Sequence, residues 1–407
     1  MKRLAVVLVL CALTFAVSVE AERRRAVNPP APAPPPPPLV NMQFGGALPG
    51  LSPENIALFN NGRRAFVDGR VPETGLGPVF NGHSCLECHG IPAGGGGSGR
   101  TVTRIGSNVN GVYDDLTNLG GSLLQGSGIG NPFGPEHHFS GERPPQAANI
   151  VARRRAQPLF GLGLVDATDD ATFIALAAAQ AARNDGTAGR VARVQSIVAG
   201  MKTVGKFGWK SQIATLQQFA GDAYLNEMGI TNPMFPSEVC PSGNCDELKF
   251  NPQPGLNDDG TNTNAITDFM RFLGAPPRGL ISADSTAGEA VFSRIGCDAC
   301  HVPTLQTAAN ANPALNRVTY QPFSDFLLHD MGPLGDGIAQ EDAGQREMRT
   351  APLWGLRGTG RLLHDGRAST MEAAIEAHDG QGLAAANRFK ALDEKERAQL
   401  ILFLRSL

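Results

Sequence analysis

The chain has 407 residues, 42% of them hydrophobic, and a formal net charge of −3 at pH 7. That length can bury real cores, which excludes a small disulfide scaffold and an intrinsically disordered chain. The near-neutral balance argues against nucleic-acid binding, which ordinarily needs a basic excess or patch. The 49 Gly and 30 Pro, about a fifth of the chain, point to extensive loop.

In chain order, Met1-Lys2-Arg3 precedes an apolar run from Leu4 to Val17. This reads as a secretory signal over 1–21 and predicts a periplasmic or otherwise exported protein. The run is short for a membrane span, which needs about 20 residues. Arg23, Arg24 and Arg25 directly after it are awkward for translocation and keep an uncleaved anchor open. Residues 22–49 form a Pro-rich linker, in which PPAPAPPPPP over 29–38 reads as a polyproline II spacer.

Helical patterns follow at Ala171–Arg183, Gln212–Glu227, Asn264–Phe272, Thr286–Arg294 and Met371–Ala377. Asp393 and Glu396 cap a last helix, whose Leu400, Phe403, Leu404 and Leu407 follow an i, i+3, i+4, i+7 stripe. Strand patterns are few, with Thr101–Ile105 one short candidate. Gly274-Ala-Pro-Pro277 suggests a boundary near 276. The expected fold is mainly α, in two domains over 50–275 and 276–407 with long Gly/Pro-rich loops.

The haem expectation comes from the cysteines. Of the seven, Cys11 lies in the signal and the other six fall into pairs. Cys85-Leu-Glu-Cys88-His89 and Cys297-Asp-Ala-Cys300-His301 are both C-x-x-C-H, the attachment pattern of c-type haem. The two thiols add to the haem vinyl groups, and the adjacent His reaches the iron. A zinc site or a redox dithiol would explain the cysteines alone and leave the following His unexplained twice. Two covalently bound c-type haems are therefore expected, one in each of two cytochrome c-like haem domains, 50–275 and 276–407. Cys240 and Cys245, in CPSGNC, suit a small disulfide loop in an exported chain.

Gly288 and Phe292 stand one helical turn apart before the second motif, as in cytochrome c domains generally. There the Gly lets this helix cross closely against the last. Gly62 and Phe66 repeat that spacing before the first motif, but 18 residues then separate Phe66 from Cys85, an insertion that breaks the simple pattern. What each iron can do depends on its far face: a strong His or Met ligand suits electron transfer, and a vacant or displaceable position suits reactivity. His83, His137, His138, His329, His364 and His378 remain as candidates, beside His89 and His301. His137 and His138 lie in a Gly/Pro-rich loop that can fold over a haem.

The stretches FSDFLLHDMGP (323–333), REMRTAPLWGLRGTGRLLHDGRA (346–368), RRAQPLFGLGLVD (154–166), KFGWK (206–210) and EMGITNP (227–233) carry a resemblance. With the two C-x-x-C-H sites, the chain resembles the di-haem oxidoreductase family, related to bacterial di-haem cytochrome c peroxidases, over roughly residues 50–407. The resemblance implies one haem that takes electrons from a small donor protein, such as a cytochrome or cupredoxin, and one that reduces hydrogen peroxide.

The resemblance also implies site roles. His364-Asp365-Gly366 resembles the relatives' C-terminal signature. A Met that ligates the C-terminal haem there is matched here by His378, 14 residues after His364. A His in that place lowers the haem potential; Met331 is the rival ligand and His329 a weaker one. Glu227-Met228 resembles the relatives' Glu-Met pair beside the peroxidatic haem, where the carboxyl would move a proton between peroxide oxygens. His138 or His137 would be the removable ligand of the N-terminal haem. Trp209 and Trp354 are candidates for the relatives' Trp between the haems. The function expected is an exported di-haem oxidoreductase, most directly a peroxide-reducing enzyme. A non-enzymatic electron carrier and a haem-based sensor stand as alternatives.

Overall fold

A computed structural model describes residues 44–135 and 137–407. The expected signal and most of the proline linker lie outside the described residues. The helices are α1 (Pro53–Val67), α2 (Cys85–His89), α3 (Leu162–Asp166), α4 (Asp170–Arg183), α5 (Leu216–Met228), α6 (Thr261–Phe272), α7 (Ala283–Arg294), α8 (Met371–Glu376), α9 (Leu383–Lys390) and α10 (Glu394–Ser406).

Local chemistry sets their ends. Thr215 accepts from the Gln218 N–H to start α5, and Gly229, at φ +65°, ends it. Asp393 accepts from the Glu396 N–H at 2.8 Å to start α10. Ser282 and Ser285 bond reciprocally at the start of α7, three residues upstream of the Thr286 expected from the sequence.

Two helix crossings organise the molecule. In one, α1 packs on α6; in the other, α7 packs on α10. Each crossing turns on a glycine. A Cβ on Gly62 would overlap the Ala265 carbonyl oxygen of α6, and one on Gly288 would overlap the Gln399 carbonyl oxygen of α10. Hydrogen here is the largest substituent the gap admits.

Strand content exceeds the expectation, so the mainly α description is correct only in part. Strand Thr101–Val109 pairs antiparallel with Val112–Asp114, Leu123–Leu124 and Ile150–Arg155 in a four-stranded sheet. A hairpin joins Ala192–Ser196 to Met201–Gly205. Ile150–Arg155 reads IVARRR, and its charges conceal a strand from pattern reading. Its alternate residues Ala152 and Arg154 are buried all the same.

The larger core cluster centres on Phe66, Phe160, Phe269 and Leu273 and also takes Tyr320, Phe326 and Trp354 from beyond residue 276. A second cluster, around Phe292, Phe323, Phe389, Leu400 and Phe403, surrounds the α7–α10 crossing. Cys240 and Cys245 form the local disulfide.

Candidate functional site

Both C-x-x-C-H motifs sit beside a helix crossing, and their histidines are held alike. Phe66 of α1 packs on Phe269 of α6 at 4.7 Å and lies 6.2 Å from the His89 ring. Phe292 of α7 packs on Phe403 of α10 at 5.2 Å and lies 6.3 Å from the His301 ring. His89 Nδ1 bonds the Gly96 carbonyl at 3.0 Å. His301 Nδ1 bonds the Phe323 carbonyl at 2.9 Å. Such a bond fixes the tautomer and leaves Nε2 as the free lone pair, the arrangement of a metal-ligating imidazole. Burial lowers the His89 pKa to about 4. Burial, and then His378, lower that of His301 to about 4 as well. Both rings are therefore neutral, as a ligand must be.

The first insertion does not disturb this arrangement. The residues between Phe66 and Cys85 form a 3-10 turn, Pro72–Thr74, and a short strand, Val79–Phe80. The Phe–His spacing is nonetheless the same as at the second motif. The far helix is α6, a partner the sequence did not reveal.

The surroundings of the second motif form a large cavity. Cys297, Cys300, His301, Met331, His364 and His378 are on its wall. His378, just past α8, bonds the Ala374 carbonyl through Nδ1 at 2.8 Å, and burial lowers its pKa. Its ring centroid stands 6.5 Å from that of His301. Two imidazoles whose nitrogens each bind one metal at about 2 Å have centroids about 6 Å apart, so His301 and His378 could hold one metal between them. Met331 lines the same cavity, and Gly382 separates it from His378: a Cβ there would lie 3.2 Å from both Met331 Cε and His378 Cδ2. His364 is buried on the cavity wall, and Trp209 meets its ring edge-on at 6.2 Å. Trp354 lines the cavity and is 5% exposed.

His329 is otherwise engaged. It is 2% exposed, and its Nε2 bonds Asp325 Oδ2 at 3.0 Å. Asp325 in turn accepts from Gln180 Nε2 at 2.7 Å. Burial works against the imidazolium, but Asp325 overrides it and holds the His329 pKa at about 10. Cys300, Asp325 and His329 together resemble a three-ligand metal set. A closed zinc site needs a fourth ligand, and the two side chains already satisfy each other.

The first motif has different company. Glu227, at the end of α5, accepts from Asn81 Nδ2 at 2.8 Å. Its carbonyl accepts from Asn81 N at 2.8 Å and Gly82 N at 3.2 Å. Asn81 Oδ1 accepts from Gly126 N at 2.8 Å. Segments 79–82 and 125–128 thus wrap the end of α5. Burial raises the Glu227 pKa, and Arg104 only partly offsets it. Burial, and then the Glu227 charge, push the Cys88 thiol up to about 11, which marks Glu227 as a neighbour of the motif. Asp222, on the same helix, is raised by burial to about 6. Sequence reading found Glu227 but not Asn81, Arg104 or Asp222; nothing in their local sequence marks them.

The two loop histidines are elsewhere engaged. His137 stacks on Phe250 at 3.3 Å, and His138 is exposed and bonds Asn131. Among the described residues, their ring contacts are with those two side chains.

The donor set fits haem. Cys85, Cys88, Cys297 and Cys300 are free of disulfides, each motif His presents a free Nε2, and the cavity at the second motif opposes an imidazole to His301.

Comparison with known proteins places the chain further. No curated protein matches it. Among solved structures, hydrazine synthase of Kuenenia stuttgartiensis is 14% identical, with 98% of this chain and 100% of that chain covered and a TM-score of 0.42. A MauG-like protein associated with microbial copper homeostasis is 17% identical, covering 94% of this chain and 95% of that one, with a TM-score of 0.39. The family model described as "Di-haem oxidoreductase, putative peroxidase" matches residues 146–407, a span that takes in Glu227 and the second motif. The chain belongs to the di-haem oxidoreductase family.

Proposed function

We propose that the protein is an exported di-haem c-type cytochrome that reduces a small oxidant, most directly hydrogen peroxide. Its electrons would come from a small donor protein such as a cytochrome or cupredoxin. Cys85, Cys88 and His89 would hold one haem, and Cys297, Cys300 and His301 the other. When bound, haem supplies one-electron redox chemistry and a coordination position at iron. The overall reaction takes one peroxide, two electrons and two protons to two waters.

The observation that carries this reading is the unequal company of the two motif histidines. His301 faces His378, a strong ligand that suits electron transfer. Beside the first motif stands the buried carboxyl of Glu227, whose pKa burial raises, held by Asn81. A protonated carboxyl there can give a proton to one peroxide oxygen and, once ionised, take one from the other. The Asn81 amide fixes the carboxyl, so the proton is presented from one direction. His138, the other residue expected at this haem, would have to leave Asn131 to serve as its removable ligand.

The test is turnover of the reduced, haem-loaded protein with peroxide and a reduced cytochrome donor. Turnover, with at least one high-spin iron in some redox state, supports the enzyme. No turnover, with two low-spin irons in every redox state, supports the electron carrier, the second reading that His378 favours.

A further inference from the structure

We propose that Arg155, Gln157 and Trp354 anchor the carboxylate side chains of the haem held by the Cys297–His301 motif. The inference rests on the haem reading above. All three residues line the cavity at that motif. Each has a buried N–H group with no partner: Arg155 Nε, Gln157 Nε2 and Trp354 Nε1. Buried polar groups are almost always paired, and these three are all donors. Their complement is a group rich in acceptor oxygens, and the haem edge offers two propionates.

The charge balance agrees. Arg155 and Arg349 both line the cavity, and neither has a carboxylate partner within ion-pair distance among the described residues. Arg349 is 4% exposed, with Nε bonded to the Gly208 carbonyl at 2.7 Å. Its Nη2 bonds Gln157 Oε1 at 3.0 Å, which leaves the Gln157 amide nitrogen for the cavity. Arg155 is tethered by its Nη1 to the Arg361 carbonyl. One buried and one half-buried cation, neither paired with a carboxylate, call for an anion between them.

The anchor also adjoins the first motif. Leu159, two residues past Gln157, donates to the Gly95 carbonyl at 2.7 Å. A Cβ on Gly97 would lie 3.1 Å from Arg155 Nη2. The segment that presents donors to one haem therefore braces the loop whose Gly96 carbonyl orients His89.

The experiment uses the full haem-loaded chain and the variants Arg155→Gln, Arg155→Lys and Trp354→Phe. A haem stain and a pyridine haemochrome count come first, since thioether attachment keeps haem in place when a propionate anchor is lost. Redox titration then reads both midpoints, and resonance Raman reads the propionate bending modes. Arg155→Gln should lower one midpoint and leave the other, because a lost cation favours the oxidised iron. Arg155→Lys should restore most of the difference. Trp354→Phe, close to isosteric, should shift a propionate mode even if Arg155→Gln folds poorly. Unchanged midpoints and unchanged propionate modes, with both haems counted, would overturn the anchor and leave the haem reading standing. A wild-type chain without haem would sink both.

Discussion

The two C-x-x-C-H units share a near side and differ on the far side. In each, a glycine crossing brings one helix against another, a phenylalanine from it packs about 6 Å from the motif histidine, and a backbone carbonyl takes that histidine's Nδ1 proton. Beyond the histidine the likeness stops. His301 faces a second imidazole, whereas at the first motif Glu227, held by Asn81, acts on Cys88. Orienting a motif histidine is one physical problem with one solution used twice. What surrounds each histidine is set separately, by side chains from other parts of the chain.

The strongest test of that difference is Glu227→Gln. It keeps the Asn81 contact but removes the proton, so peroxide turnover should fall ~10²–10⁴-fold with both haem spectra unchanged. A variant as active as the parent would place the proton donor elsewhere. Asp325→Ala should cost about 3 kcal/mol, because it removes the shared buried partner of His329 and Gln180; chemical denaturation reads it. His329→Leu in the same background should recover part of the loss.

The shared near side is broken by adding one carbon. Gly62→Ala and Gly288→Ala should each cost about 1–3 kcal/mol through overpacking, read as equal falls in the denaturation midpoint. If only Gly288→Ala matters, the two crossings are not equivalent. The smallest effect on stability belongs to His378→Ala. One low-spin haem should become high-spin while the other is untouched, and an unchanged spectrum removes His378 from the iron. A spectrum with thioether character would instead mean that Met331, across Gly382, has taken its place.

Legibility in the sequence follows the range of the interaction. The C-x-x-C-H motifs, the Cys240–Cys245 disulfide, the Asp393 cap and the α10 stripe are each complete within a few residues. So is the Gly288–Phe292 spacing, whose partner helix could be expected from the likeness to cytochrome c domains. Gly62 showed the same spacing, but its partner α6 lies about 200 residues on, with nothing local to name it. Ile150–Arg155 was hidden because its arginines are charged yet one of them, Arg154, is buried against Asp336 at 2.6 Å. The loop histidines show the same limit: nothing local in the sequence told that His137 would stack on Phe250 or that His138 would bond Asn131.

By itself, the sequence showed two C-x-x-C-H motifs and which histidine follows each pair of thiols, because each pattern is complete within five adjacent residues. It also pointed to His378 and Glu227, through spacing and family resemblance. Only the tertiary structure decided what stands around them. It set His378 6.5 Å from His301, bonded Glu227 to Asn81, closed His329 on Asp325 and turned the unpaired donors of Arg155, Gln157 and Trp354 into one cavity. Those pairings join residues that are mostly far apart in the chain, and burial fixes their energies. Neither property is written in any local stretch of sequence.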